Sequence, residues 1–87
     1  MKTKAAILDT HDFKTKVLLY KEGGQFVAHA LEMDLLGYGR TRNAAVKELR
    51  GLVKAQISFA RNMDDDSLLL FPAEREYFER WDAAHRT

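Results

Sequence analysis

Apolar and β-forming residues cluster in short runs near the start of the chain. Residues 16–21 read KVLLYK and residues 25–31 read QFVAHAL. Between them, Gly23 and Gly24 supply the positive φ angles that a tight turn requires, so the two runs predict a β-hairpin. Residues 35–40, LLGYGR, predict a third strand whose glycines allow close approach of another backbone. The three runs together predict an antiparallel meander.

After Thr41 the apolar spacing lengthens to the three or four residues of a helix. Thr41 suits an N-cap, because its hydroxyl can accept a hydrogen bond from a free N–H of the first turn. Residues 42 to about 60 predict a long helix with one apolar face, which is expected to pack against the sheet. This face consists of Ala45, Leu49, Leu52, Val53, Gln56, Ile57 and Ala60. Residues 67–71, SLLLF, predict a fourth strand that Pro72 ends. A second helix, with aromatic residues on one side, is expected from residue 73 to about residue 85.

This order of elements, βββαβα, predicts a single α+β domain. Residues 15–72 form the expected core, residues 73–87 hold the C-terminal helix, and residues 1–14 carry no assigned element. A chain of 87 residues has room for one hydrophobic core. A domain of this size buries about 60–70% of its unfolded surface, so association with further protein would help to stabilise it.

The predicted strands are apolar on both faces. Along residues 17–20, VLLY, successive side chains point to opposite faces, yet all four are apolar or aromatic. The long helix can cover one face of the sheet. Leaving the other face wet would cost many kcal/mol, at about 25 cal/mol for each Å² of apolar surface. Either the aromatic C-terminal helix or a second protein chain therefore covers it, and we expect a homodimer or higher oligomer.

Charge is unevenly spread, although the formal net charge is only +1. The charged residues within 40–61 are all basic except Glu48, whereas most charged residues within 62–82 are acidic. Lys47, Arg50 and Lys54 form a stripe beside the apolar helix face, with Arg61 continuing it. This stripe can contact a phosphate backbone, or it can be a solvated face that pairs with acidic residues.

Candidate chemistry is sparse. The chain has no cysteine, which excludes disulfides, thiolate nucleophiles and cysteine-based zinc sites. The three histidines lack ligand spacing, and the run Asp64–Asp66 lacks the alternating ligands of a calcium loop. Glu32 and Asp34 have no third strand acid to complete a two-metal nuclease site. We expect no catalytic residue, no metal and no cofactor. A further hypothesis is a metal-dependent nuclease that acts through Asp34.

No segment approaches the roughly 20 apolar residues that span a bilayer, and the run at residues 5–8 is too short for a signal-peptide core. We therefore expect a cytoplasmic protein without membrane contact.

Residues 31–45, LEMDLLGYGRTRNAA, resemble the HicB family of antitoxin-like domains. The family pattern is a β-hairpin, an L-x-x-x-G approach, and G-x-T-x-x-x-A opening a helix. Gly37, Gly39, Thr41 and Ala45 match it position by position. The resemblance extends over residues 17–57, about half of the chain, and departs from the family at residues 33–36, where a proline-containing approach is usual.

The resemblance implies a partly degenerate ribonuclease-H-like domain that masks a small RNA-cleaving toxin of the HicA type and self-associates. Too few elements follow Pro72 for the family's C-terminal DNA-binding domain, so a stand-alone member is expected. On this basis we expect protein binding rather than catalysis, with an apolar surface and acidic residues that complement a basic toxin. The expected partner-binding residues are Phe71, Glu74, Tyr77, Phe78, Glu79 and Trp81. The alternative function is RNA or DNA binding through Lys47, Arg50 and Lys54.

Overall fold

Four antiparallel strands form one sheet in the order of the sequence. The computed structural model describes residues 3–11 and 13–86. The strands are β1 (Lys4–Asp9), β2 (Lys14–Glu22), β3 (Gln25–Ala30) and β4 (Leu35–Gly39). A long helix, α1 (Arg42–Asn62), follows the sheet, and a second helix, α2 (Arg75–Arg86), ends the described chain. The predicted α+β class, the meander β2–β4 and both helices are confirmed.

The hairpin and the helix start form where the sequence predicts them, although Gly24 does not have the positive φ expected of both turn glycines. Glu22 lies opposite Gln25 across a two-residue turn, in which Gly23 has a φ of +62°. Thr41 caps α1, since its hydroxyl accepts a hydrogen bond from Ala44 N at 3.0 Å. Both features arise from neighbouring residues alone, so the sequence is sufficient to locate them.

Strand β1 lies in the segment that the sequence left unassigned. It pairs with β2 from Lys4 opposite Leu19 to Asp9 opposite Lys14. In the turn that joins the two strands, His11 has a φ of 79° and donates its backbone N–H to the Asp9 carboxylate at 2.9 Å. This hydrogen bond to the carboxylate stabilises His11 in the left-handed backbone conformation, which glycine adopts more readily than other residues.

The predicted fourth strand at residues 67–71 is wrong. Residues Asp66–Leu69 form a 3-10 helix instead, and the Asp65 carboxylate accepts hydrogen bonds from the backbone N–H and the hydroxyl of Ser67. This local capping favours a helical turn over an extended run. The short apolar run SLLLF does not by itself distinguish a strand from a helical turn.

The chain becomes extended only after that turn. Phe71 N donates to the carbonyl of Glu32 at 3.2 Å, and Ala73 N donates to the carbonyl of Leu31 at 2.7 Å. These bonds carry the chain past the end of β3 and bring α2 to the opposite face of the sheet from α1.

Both faces of the sheet are covered within the chain. The core on the α1 side consists of Leu8, Val17, Leu19, Ala28, Ala30, Met33, Ala45, Leu49, Val53 and Ile57. The core on the α2 side consists of Leu18, Leu31, Ala73 and Trp81, against which Ala5, Tyr20, Tyr77 and Phe78 pack. Of the two covers that the sequence left open, the aromatic C-terminal helix is the one that closes the second face.

Helix α1 lies directly on the glycines of β4. A Cβ atom placed on Gly37 would lie 2.5 Å from Ala45 O and 2.6 Å from Leu49 N. One placed on Gly39 would lie 2.6 Å from Ala45 N. Because these neighbours are backbone atoms, they have no rotamer by which to move away. The absent side chains therefore set the distance between helix and sheet.

We predict that Gly37→Ala lowers the free energy of unfolding by about 2–3 kcal/mol, because the added methyl overpacks the helix–sheet contact. Gly51→Ala is the control: Gly51 lies in α1 with nothing within 4 Å of its added Cβ. That change should raise stability by about 0.5–1 kcal/mol through helix propensity. Urea unfolding followed by circular dichroism measures both, and similar values for the two variants would contradict the close contact.

Candidate functional site

Trp81, one of the residues predicted to bind a partner, is used inside the chain. Its side chain is 6% exposed, and its indole N–H donates to the carbonyl of Ala6 in β1 at 3.0 Å. Its ring stacks on His85, and the Lys16 ammonium lies 4.8 Å from the ring centroid. Trp81 therefore fastens α2 to the outer strand of the sheet.

The other predicted partner residues divide into two groups. Tyr77 and Phe78 are half-buried against the sheet, where the Tyr77 ring meets the His29 ring edge-on at 4.9 Å. Phe71, Glu74 and Glu79 are exposed. The exposed group lies outside the core, and its role in binding stays a prediction.

The predicted basic stripe is present on one flank of α1. Lys47, Arg50 and Lys54 are all exposed and follow one another at helical intervals of three and four residues. Arg50 Nη1 donates to the backbone carbonyl of Asp9 at 3.4 Å, so the stripe faces the β1–β2 turn. Acidic residues of α2 lie across the sheet from it, because the two helices pack on opposite faces.

The other flank of α1 is apolar and exposed, which the sequence reasoning missed. Leu52, Phe59 and Met63 follow one another at intervals of seven and four residues and are 40%, 51% and 60% exposed. We call these three residues the apolar flank. The sequence placed Leu52 on the buried face, whereas its helical position is at the margin of that face. The recurring spacing was the signal that could have revealed the flank.

Carboxylates lie at both ends of the apolar flank. Glu48 lies one turn before Leu52 on the same side of α1, and its carboxylate accepts the backbone N–H of Tyr38 in β4 at 2.8 Å. Beyond Met63 the exposed residues Asp64, Asp65 and Asp66 follow directly. The two flanks of one helix therefore differ in chemistry: one is basic, and the other is apolar with acidic ends.

The strand-end acids of the nuclease hypothesis make structural contacts. Glu32 Oε1 accepts the Thr15 hydroxyl at 2.6 Å and the Lys16 backbone N–H at 2.8 Å. Asp34 Oδ1 lies 2.6 Å from Nε2 of the buried His29. Within residues 3–11 and 13–86, no three His, Cys, Asp or Glu side chains are grouped to hold a metal ion.

His29 is a buried imidazole with one partner. An ionised carboxylate can only accept hydrogen bonds. The His29 Nε2–H is therefore the donor in the hydrogen bond to Asp34 Oδ1. Nδ1 is buried with no hydrogen-bond partner among the described residues. Asp34 has a φ of 52°, the left-handed region, at the turn between β3 and β4. The Asp34 side chain therefore joins this turn to the core below α2.

Tyr20 and Tyr77 lie on the same face of the sheet as His29. Burial raises the pKa of the Tyr20 hydroxyl above its ordinary value of 10.0, and the Glu22 carboxylate raises it further. The Arg80 guanidinium lies 5.7 Å from the Tyr20 ring centroid. Since Tyr20 stays neutral near pH 7, this contact is a cation–π interaction rather than an ion pair.

Comparison of the chain with protein-family models, with curated proteins and with solved structures finds no match in any of the three. The resemblance to HicB-like domains therefore rests on Gly37, Gly39, Thr41 and Ala45, whose structural roles are the close helix contact and the helix cap. Among the described residues, no helix is long and apolar enough to cross a membrane.

We predict that Asp34→Ala lowers the free energy of unfolding by about 2–3 kcal/mol. The change removes the hydrogen-bond partner of the buried His29 imidazole and forces alanine into a left-handed conformation. Asp34→Asn should cost less than about 1 kcal/mol, because asparagine tolerates that conformation and keeps an acceptor oxygen. Urea unfolding compares the variants. Equal losses would show that the hydrogen bond to His29 contributes little.

Asp34→Asn also addresses the nuclease hypothesis directly. Because this variant retains the fold, a nuclease that uses Asp34 as a metal ligand would lose its Mg²⁺-dependent cleavage in a stable protein. We expect no such cleavage from the unsubstituted chain incubated with RNA and Mg²⁺.

Proposed function

We propose that this chain is a protein-recognition domain that binds a basic partner protein through the apolar flank of α1. The observation that carries the proposal is the clustering of exposed apolar side chains. Of the seven large apolar side chains that are exposed among the described residues, three lie on this one flank: Leu52, Phe59 and Met63. A row of exposed large apolar side chains along one side of a helix is typical of an interaction site.

The charges around the apolar flank favour a basic partner. Glu48 lies at one end of it and Asp64 and Asp65 follow Met63 at the other, while the basic stripe of Lys47, Arg50 and Lys54 occupies the other flank. Charges at the rim of an interface steer the partner and select its sign, whereas the buried apolar centre supplies most of the affinity. Burying the exposed halves of Leu52, Phe59 and Met63 contributes roughly 2–4 kcal/mol.

The resemblance of residues 31–45 to HicB-like domains makes this proposal more specific. The partner is then a small RNA-cleaving toxin of the HicA type, which the domain masks in the cytoplasm, and the domain self-associates. The positive charge of a nucleic-acid-cleaving protein agrees with the acidic ends of the apolar flank. The exposed residues Phe71, Glu74 and Glu79 are the alternative contact surface for the same partner.

A triple variant tests the proposed surface. We expect Leu52→Ser, Phe59→Ser and Met63→Ser together to weaken binding to a HicA-type toxin encoded beside this chain by about 10- to 100-fold, a loss of roughly 1.4–2.8 kcal/mol. Isothermal titration calorimetry measures the affinity, and survival of cells expressing both proteins measures neutralisation. Because all three positions are exposed, circular dichroism should show an unchanged fold.

The matched comparison is the triple variant Phe71→Ser, Glu74→Gln and Glu79→Gln, which alters the alternative surface. The apolar-flank proposal predicts that this second variant binds and neutralises like the unsubstituted chain. Full toxin binding by the Leu52, Phe59 and Met63 variant would refute the proposed surface. Failure of the unsubstituted chain to bind any basic toxin would refute the toxin-masking function itself.

A further inference from the structure

A continuous groove runs between the basic flank of α1 and the β1–β2 turn. It begins as a pocket of about 410 Å³ lined by Asp9, Thr10 and His11 together with Arg50 and Lys54. A second pocket, of about 230 Å³, shares Thr10 and Lys54 with the first. A third, of about 330 Å³, shares Arg61 with the second. The shared lining residues make the three pockets successive parts of one groove on one side of the molecule.

The groove has a line of positive charge along one wall. Arg50, Lys54 and Arg61 recur at intervals of four and seven residues, so they follow one flank of α1 for about 16 Å at 1.5 Å per residue. A row of cations along a groove is suited to a ligand with repeated negative charges, such as a phosphodiester backbone.

The far end of the groove is apolar. The third pocket is lined by Phe13, Leu69 and Leu70 beside Arg61, and Leu70 is 62% exposed. An aromatic or apolar pocket beside a cation suits an unstacked base, which has an apolar face and follows a charged backbone. A duplex offers no such base, because its bases are paired and stacked. The pocket therefore favours a single strand.

Among the described residues, the carboxylates of Asp9 and Asp66 also line the groove. The Asp9 carboxylate accepts the backbone N–H of His11, and its other oxygen lies 4.0 Å from the Lys14 ammonium. Asp66 lies at the apolar end beside Arg61. The cations outnumber these acids, and the acidic residues of α2 are separated from the groove by the sheet. The carboxylates of α2 therefore do not oppose an anion here.

We propose that this groove binds single-stranded nucleic acid, with its phosphates along Arg50, Lys54 and Arg61 and one unstacked base against Phe13, Leu69 and Leu70. The site lies on the opposite flank of α1 from the proposed protein-binding surface. Loss of either function therefore leaves the other open to measurement.

Fluorescence anisotropy at low salt with a labelled oligouridylate and a labelled oligodeoxythymidylate tests the site. The double variant Arg50→Gln and Lys54→Gln should weaken binding at least 10-fold. It should also reduce the slope of log affinity against log salt by about 1.4, at 0.7 for each lost phosphate contact. The matched control, Arg75→Gln with Arg80→Gln, removes two exposed cations on α2 and should leave binding unchanged.

Leu70→Ser tests the base pocket separately, and its exposed position keeps the fold intact. It should weaken binding of both oligonucleotides several-fold and leave binding of inorganic polyphosphate, which has no bases, unchanged. The Leu52, Phe59 and Met63 variant should bind oligonucleotides normally. The proposal is overturned if neither oligonucleotide binds at low salt, if the α2 control loses as much affinity as the groove variant, or if a duplex binds as tightly as a single strand.

Discussion

The backbone of α1 packs directly against two glycines of β4, and this contact determines how the helix lies on the sheet. Gly37 and Gly39 leave no space for a side chain beneath Ala45 and Leu49, so the helix lies closer to the sheet than any larger residue at these positions would allow. Thr41 begins the helix two residues after the second glycine, which fixes where the contact occurs along it. In this arrangement, the stripe from Ala45 to Ile57 turns inward and both flanks of α1 remain outside.

The chain itself covers the second face of the sheet. Apolar residues on both sides of β2 and β3 require two covers, and α2 supplies the second through Trp81 and Tyr77. The proposed recognition of a partner therefore does not follow from an uncovered sheet. It follows from side chains that stay exposed after both helices have packed, and these are concentrated on and just after the C-terminal half of α1.

The sequence predicts the features that neighbouring residues determine. The hairpin at Gly23 and the cap at Thr41 need only local chemistry, and both are present. Strand β1 has a short apolar run that becomes a strand only by pairing with β2, so no local pattern reveals it. At residues 67–71, capping by Asp65 outweighs a β-like composition. The exposure of Leu52 depends on the rotation of α1 over the sheet, which the helical periodicity alone does not determine.

The two proposed surfaces are compatible on electrostatic grounds. They lie on opposite flanks of one helix, whose diameter with side chains is about 10–12 Å, whereas the Debye length at physiological ionic strength is about 8 Å. Charges on a protein bound to the apolar flank are therefore largely screened at the groove. Whatever field remains from a basic partner has the same sign as Arg50 and Lys54, so it adds to the attraction for a phosphate backbone. An acidic partner would have the opposite effect and would also meet Glu48 and the run Asp64–Asp66 at the ends of its docking surface. The charge pattern of α1 thus favours a basic protein at the apolar flank and an anionic ligand in the groove.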